Sequence, residues 1–220
     1  MATLFAASVS VRAYFSAYHL WAAKRFAKLA DETEGIDGFN IANRAYVTNA
    51  VLSAVAFLEA AINEIYDDAV DGHEPYVKSL SVATKACLTH LWTRRKSLER
   101  SPVLRKYQKA LHCAGLPVFD EGTLPYEDAD LLVQLRNTLI HARPITRETG
   151  EMSHLDKMLS KRFPPNRPMA KMGNPYFPDQ CLGAGCAYWA VTAAVNFADK
   201  FFDCMDVRPN YQSYKKWEEP

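Results

Sequence analysis

The chain has 220 residues, of which 49% are hydrophobic and 23% are charged. This composition excludes an intrinsically disordered protein, and a chain of this length buries about 70% of its unfolded surface without a disulfide or metal to stabilise it. The formal net charge is +1, so the chain as a whole has no attraction for polyanions. Any nucleic-acid surface must therefore come from local clusters of basic residues.

The first two predicted helices run from Ser10 to Ala30 and from Asn40 to Val70. Glycines at 35 and 38 separate them. The middle of the second helix, residues 51–66, is apolar on most sides, which predicts a position at the centre of a helical bundle. In the first helix, apolar residues recur every three to five positions opposite a basic face: Tyr14, Tyr18, Trp21, Phe26 and Leu29.

Three further helices are predicted in the middle of the chain. They run from Ser81 to Glu99, from Pro102 to Ala114, and from about Pro125 to Arg143. The third has carboxylates in its first turns, where they interact favourably with the helix dipole. Pro144 stops it, because a proline disfavours the helical conformation of the residue before it.

Residues 144–180 differ from the rest of the chain, because six prolines interrupt them. We expect a long, basic, proline-rich excursion with at most one short helix, Ser153 to Arg162. A last apolar helix, Leu182 to Cys204, returns to the core, and residues 207–220 form a frayed tail. With no strand pattern and no internal repeat, the sequence predicts an all-α, up-and-down helical bundle that forms a single domain over residues 1–220.

The cysteines and the N-terminus bear on the cellular compartment. Five cysteines are irregularly spaced and mostly lie in apolar helical runs, which predicts reduced thiols buried in the core. Cys181 and Cys186 lack the further ligands of a structural zinc site. The N-terminal residues lack the basic region of a signal peptide, and no apolar run is long enough to span a membrane. We therefore expect a cytoplasmic protein that does not contact membranes.

The helix from Leu131 to His141 has two distinct faces. At 100° per residue, an apolar stripe faces the core. Arg136, Asn137 and His141 lie away from that stripe, with Val133 and Ile140 between them. An outward face that mixes apolar groups with Arg, Asn and His indicates contact with another surface. The core stripe consists of Leu131, Leu132, Leu135 and Leu139.

Arg136, followed directly by Asn137 and after four intervening residues by His141, resembles the Arg-x(4–6)-His signature of HEPN domains. Asn is a favoured residue after the Arg in that family. The segment 57–64 of the long second helix is similar to an earlier helix of many HEPN proteins. The resemblance covers residues 10–143 and the last helix, and the 144–180 excursion lies outside the family pattern.

The resemblance implies metal-independent cleavage of RNA, without a cofactor, at a composite site between two protomers. Arg136 and His141 would be the catalytic pair and Asn137 an auxiliary residue. Val133 and Ile140 would lie in the homodimer interface. An imidazole exchanges protons near neutral pH, and a permanently charged guanidinium stabilises negative charge on the phosphate oxygens. The products would carry a 2′,3′-cyclic phosphate and a 5′-hydroxyl.

Basic residues after His141 are candidates for binding the RNA substrate. Phe163, Tyr176 and Phe177 are interleaved with them and are candidates for stacking on bases. A second basic stretch, 93–109, is either an RNA surface or an ordinary solvated face. Glu59, in apolar surroundings on the second helix, is a candidate partner for Arg136. The predicted substrate-binding residues are Arg143, Lys157, Lys161, Arg162 and Arg167.

The same residues leave two functions open. If the chain is the ribonuclease that the resemblance implies, we expect a toxin or defence effector restrained by an antitoxin or other regulatory protein. Alternatively, it is a non-catalytic helical module that binds a protein, RNA or nucleotide through the outward face of the Arg136 helix. In an ordinary helical protein, Arg136 and Asn137 would pair with a neighbouring helix, and His141 would interact with a helix dipole.

Overall fold

The computed structural model describes residues 11–35, 38–73, 77–94, 98, 100–148 and 150–214. These residues form helices and loops, with no β-strand among them, which confirms the predicted all-α class for this part of the chain. The α-helices are α1 (Ser16–Glu34), α2 (Ile41–Asp71), α3 (Val82–Arg94), α4 (Val103–Cys113), α5 (Tyr126–Ile140), α6 (His154–Leu159), α7 (Arg167–Ala170) and α8 (Ala184–Met205). A helical turn at Tyr176–Gln180 precedes α8 and a 3-10 helix at Asn210–Tyr214 follows it.

α2 is the central helix of the bundle, as its apolar middle predicts. It packs against α1, α3, α4, α5 and α8. The Asn40 side chain begins it by accepting hydrogen bonds from the backbone N–H groups of Ala42 (3.0 Å) and Asn43 (3.2 Å), which satisfies two donors at the helix N-terminus. Gly72, with φ of 63°, ends it in the left-handed conformation.

By length and composition, α2 is also the one helix in the described ranges that could cross a membrane. An 18-residue window of it has a mean hydropathy of 1.6, and half of that window is buried inside the bundle. A core helix meets the same criterion, and packing against five other helices accounts for the apolar character of α2.

Small residues bring α1 and α8 close to α2, because alanines supply much of the buried face of both helices. Larger rings fill the space around α4, α5 and α8. Tyr107 packs edge-on against Phe197 and Phe201, with ring centroids 4.9 and 4.7 Å away. Tyr126, in the first turn of α5, packs on the same Phe197 at 5.9 Å. These contacts fix α5 against α8.

The expectation of five reduced thiols is wrong for two of them. Cys87 of α3 and Cys113 at the end of α4 form a disulfide, whereas Cys181, Cys186 and Cys204 are free. Both bonded cysteines belong to apolar helical runs, as a buried free thiol would. The packing of α3 against α4 brings their Cα atoms to 5.5 Å, within bonding range, and the irregular sequence spacing does not reveal it.

Several predicted boundaries differ from the structure. The predicted start of the first helix, Ser10, lies outside the described residues, and α1 begins at Ser16 and continues to Glu34. Residues 95–97 and 99 of the third predicted helix also lie outside them, as do 215–220 of the tail. The prediction of a frayed tail is wrong near Tyr211, which is fully buried and donates a hydrogen bond to Asp199 at 2.9 Å.

The 144–180 excursion is folded against the bundle. Its predicted short helix is present as α6, which Ser153 and Asp156 begin with a reciprocal capping box. The excursion also contains α7 and the turn at 176–180, which the sequence did not predict. At the end of the excursion, Gly183 lies so close to the backbone of Asn166 that no side chain fits between them. A Cβ atom on Gly183 would lie 2.8 Å from the Cα of Asn166.

Candidate functional site

α5 presents the Arg136 motif at its C-terminal end. Its buried residues include Ala129, Leu131, Leu132 and Leu135, which confirms most of the predicted core stripe. Leu139, the last member of that stripe, is only partly buried. The helix therefore leaves the bundle surface near its end, and the motif lies where packing against the bundle is least complete.

Arg136 and Asn137 form a hydrogen-bonded pair on this surface. Arg136 Nη1 donates to Asn137 Oδ1 at 3.0 Å. Arg136 is half-buried and Asn137 is exposed. Within the described part of the chain, no carboxylate lies within ion-pair distance of Arg136. Its guanidinium is thus oriented by a neutral amide and keeps its charge available to an external anion.

His141 lies just beyond the helix, where it is the C-terminal cap of α5. Its backbone N–H donates to the carbonyl oxygen of Asn137 at 3.0 Å, and its side chain is exposed. Five positions separate His141 from Arg136, which rotates the side-chain direction by about 140° around a helix. In one copy of the chain, the Arg and the His therefore point to different sides of the helix end.

Apolar side chains border the motif. Ile140 is 52% exposed and Ile145, just after Pro144, is 47% exposed. Val133, predicted to lie in the dimer interface with Ile140, is half-buried and packs against the core. Of the two predicted interface residues, Ile140 thus presents the larger free apolar surface.

Glu59 does not pair with Arg136, so the predicted partnership is wrong. Its carboxylate forms an ion pair with Lys106 of α4, whose ammonium group is fully buried and also donates to Asn63 Oδ1 at 3.0 Å. The contact of α2 with α4 brings these groups together. Lys106 belongs to the basic stretch 93–109, and its burial removes it from any RNA surface, while 95–97 lie outside the described residues.

The five cations predicted to bind substrate are not gathered in one place. Arg162 pairs with Glu127 (2.8 Å) and Asp128 (2.7 Å) in the first turn of α5, about 12 Å along the helix axis from Arg136. Arg167 lies 3.4 Å from Glu34 at the end of α1. The remaining three are exposed, with no ion-pair partner among the described residues: Arg143, Lys157 and Lys161.

The aromatic residues of the excursion are not available to stack on bases. Phe163, Tyr176 and Phe177 are 7%, 8% and 6% exposed. Phe163 packs against Trp189 of α8 with ring centroids 5.3 Å apart. Their apolar area is greater than a short, proline-rich segment can bury on its own, so they pack into the bundle instead.

Two buried charges hold the excursion in place, and the sequence did not reveal them. Glu34 accepts hydrogen bonds from the backbone N–H groups of Arg167 (2.9 Å) and Ala184. Arg44 donates to the carbonyl oxygens of Pro178 and Leu182 and lies 3.5 Å from Asp179. Burial lowers the pKa of the Arg44 guanidinium, and Asp179 partly offsets this effect. We call this set the Glu34–Arg44 clasp.

No local sequence pattern predicts the roles of Glu34 and Arg44, because each forms hydrogen bonds with backbone groups more than 130 positions away in the chain. Asn166 gives a weak signal: it precedes Arg167 and Pro168, as a helix cap often does, and its side chain accepts from Met169 N at 3.1 Å. No group of three His, Cys, Asp or Glu side chains in the described ranges is arranged to hold a metal ion.

Comparison with protein-family models, with curated proteins and with solved structures finds no match for this chain.

Proposed function

We propose that the chain is a metal-independent endoribonuclease of the HEPN type that acts as a homodimer. The observation that carries the proposal is the end of α5: Arg136 is oriented by Asn137, has no carboxylate partner among the described residues, and lies five positions before an exposed His141. An unpaired Arg and a free imidazole beside exposed apolar surface are suited to a phosphodiester and to a second protein surface.

The proposed reaction is attack by an RNA 2′-hydroxyl on the adjacent phosphorus. A bond forms between the 2′ oxygen and phosphorus, and the bond from phosphorus to the 5′ oxygen breaks. One imidazole takes the proton of the 2′-hydroxyl, and the imidazole of the second protomer gives a proton to the departing 5′ oxygen. Arg136 stabilises the negative charge that develops on the non-bridging oxygens. The products are a 2′,3′-cyclic phosphate and a 5′-hydroxyl.

The dimer follows from the directions of the two side chains. Because Arg136 and His141 of one copy point to different sides of the helix end, a single copy does not focus both on one phosphate. A two-fold axis near Ile140 would place the Arg of one protomer beside the His of the other. Ile140 then contributes the apolar contact, and the exposed Arg143 lies close enough to bind a flanking phosphate.

Cleavage of single-stranded RNA in EDTA tests the proposal. We expect wild-type protein to cut, and Arg136→Ala and His141→Ala to lower the rate by about 10²- to 10⁴-fold. Arg208→Ala and His112→Ala are matched controls, since both residues are exposed and His112 lies in the last turn of α4. Neither the wild-type protein nor any variant should cleave an RNA that has deoxyribose at the cleavage position, because the attacking 2′-hydroxyl is missing.

Sedimentation tests the dimer independently. Ile140→Asp should shift the protein to a monomer and abolish cleavage together. Val118→Asp is its control, because Val118 has a similar exposure of 55% but lies in the loop before α5. Activity that persists in a monomeric Ile140→Asp variant would refute the composite site.

The alternative is a non-catalytic module that binds RNA, a nucleotide or a protein through the same surface. It predicts that RNA remains intact with every variant, while Arg136→Ala still weakens binding. Cleavage at equal rates by wild type, Arg136→Ala and His141→Ala would exclude both functions for this surface and assign the activity elsewhere.

A further inference from the structure

The outward face of α1 carries aromatic rings that the bundle does not use. Phe15, the N-cap of the helix, is 57% exposed, Tyr18 is 58% exposed and Trp21 is 41% exposed. The Phe15 and Tyr18 rings touch edge to face, with centroids 5.7 Å apart. Large rings exposed in succession are unusual on a helix whose opposite side is as well buried as that of α1.

Two basic residues continue this face. Arg25 follows Tyr18 by seven positions and Lys28 follows Trp21 by seven, which places each cation nearly in line with its ring and about 10 Å further along the axis. Both are half-buried, and no ion-pair partner lies near either among the described residues. We call this set of five residues, Phe15, Tyr18, Trp21, Arg25 and Lys28, the α1 stripe.

The α1 stripe and its sequence neighbours carry charge of one sign, although Glu64 of α2 accepts hydrogen bonds from Ser16 at the N-terminal end of the helix. Residues 11–30 contain no Asp or Glu, and acidic residues begin only at Asp31, which lies 3.6 Å from Arg167. The helix exposes no large aliphatic side chain along this face, so its exposed surface consists of rings and cations. The surface thus combines flat rings with two cations that have no ion-pair partner among the described residues, on a protein of net charge +1.

We propose that the α1 stripe binds a single-stranded nucleic acid. Bases stack on the rings of Tyr18 and Trp21, Phe15 extends the stacking surface, and Arg25 and Lys28 contact the phosphates that follow. The stripe lies on α1, which is not among the helices that pack against α5. The α1 stripe and the Arg136 motif thus lie on different helices, and the proposal does not require that the chain cuts RNA.

Fluorescence anisotropy of a labelled deoxyoligonucleotide of about 12 residues tests the proposal without interference from cleavage, since DNA lacks the 2′-hydroxyl. We expect Tyr18→Ala and Trp21→Ala each to weaken binding roughly 5- to 150-fold. Trp21→Phe, which keeps a ring, should restore most of the affinity. Phe39→Ala is the matched control, because Phe39 is 65% exposed but lies beyond the C-terminus of α1.

The cations give a second readout that does not depend on removing a large side chain. Arg25→Gln combined with Lys28→Gln should reduce the slope of log affinity against log salt by about 1.4, or about 0.7 for each lost phosphate contact. A matched ribo-oligonucleotide, tested with the same variants, should show the same losses because stacking and phosphate contacts do not require the 2′-hydroxyl.

Three outcomes overturn the proposal. The first is that the wild-type protein does not bind the oligonucleotide, or binds it with the same affinity as all the stripe variants. Another is binding of anionic phospholipid vesicles, lost in Tyr18→Ala, without binding of the oligonucleotide. The third is self-association that Trp21→Ala abolishes in the absence of nucleic acid, which would make the stripe a contact between copies. Circular dichroism of each variant confirms that a loss does not come from unfolding.

Discussion

Replacing Glu34 by alanine tests the Glu34–Arg44 clasp. The Glu34 side chain is 3% exposed and accepts from the backbone N–H groups of Arg167 and Ala184. Both donors lie at the beginnings of helices, α7 and α8, where backbone N–H groups have no partner within the helix. An alanine leaves the two donors without an acceptor, and helix N-termini favour a negative charge beside them.

The expected cost follows from these two bonds. A hydrogen bond to a charged group contributes about 1.5–3 kcal/mol to the free energy of unfolding. Arg167 is 65% exposed, so its ion pair with Glu34 adds little. Glu34→Ala should therefore lower the free energy of unfolding by about 3–6 kcal/mol, a large part of the roughly 5–15 kcal/mol of an ordinary protein. Glu34→Gln keeps one acceptor oxygen, so about half of that loss is expected.

Urea denaturation measures this change, with the midpoint and the slope followed by circular dichroism. Glu32→Ala is the matched control, because Glu32 belongs to the same helix but is exposed; it should change the free energy of unfolding by less than about 0.5 kcal/mol. Limited proteolysis should cut Glu34→Ala, but not the control, within the excursion. A loss below about 1 kcal/mol for Glu34→Ala would refute the clasp.

Three further predictions concern stability. Gly183→Ala should lower the free energy of unfolding by about 1–3 kcal/mol, since its Cβ would meet the backbone of Asn166, whereas Gly122→Ala should not; equal urea midpoints would contradict this. Reducing the Cys87–Cys113 disulfide, which closes a separation of 26 residues, should cost about 3.5 kcal/mol, and mass spectrometry of unreduced peptides should detect the linked pair. Burial raises the pKa of several tyrosines, to about 12 for Tyr14 and Tyr126. Because the folded state then retains protons that the unfolded state loses above pH 10, the free energy of unfolding should fall as pH rises from about 10 to 12. Phenolate absorbance that rises in a single step centred near pH 10 would exclude this. The tyrosines concerned are Tyr14, Tyr66, Tyr107, Tyr126 and Tyr176.

The helices were predictable because their causes are local. Apolar periodicity located α1, α2, α5 and α8, and the predicted bounds of α2, Asn40 and Val70, each lie one residue from the observed Ile41 and Asp71. Pro144 correctly predicted a stop for α5, but the helix ends at Ile140, because the proline also constrains Arg143 and the chain turns out of the helix before reaching it. The outward direction of Arg136 and Asn137 follows from the same periodicity.

Contacts between distant parts of the chain were not predictable. Lys106 looks like one of several surface cations in its stretch, and only the packing of α4 on α2 shows that its ammonium group is buried beside Glu59. Phe163 lies among prolines and basic residues, a composition that suggests an exposed loop, yet it packs on Trp189. The sequence alone predicts neither the contact of Lys106 with Glu59 nor that of Phe163 with Trp189.

The ion pairs of the excursion decide what can complete the site at His141. Arg162 is held at the first turn of α5 and Arg167 at the end of α1. Both residues come soon after His141 in the sequence, but these ion pairs hold them at other places in the fold. Close to His141 in the sequence are Arg143 and the exposed Ile145, and the exposed Lys157 lies on α6, which packs against α5. These few cations are the positive charge that one copy offers a phosphodiester. In the proposed dimer, a second copy would add its own Arg136, which has no ion-pair partner among the described residues, and its Ile140 would cover the apolar border. The proposed nuclease would therefore gain both positive charge and shielding from water by dimerising.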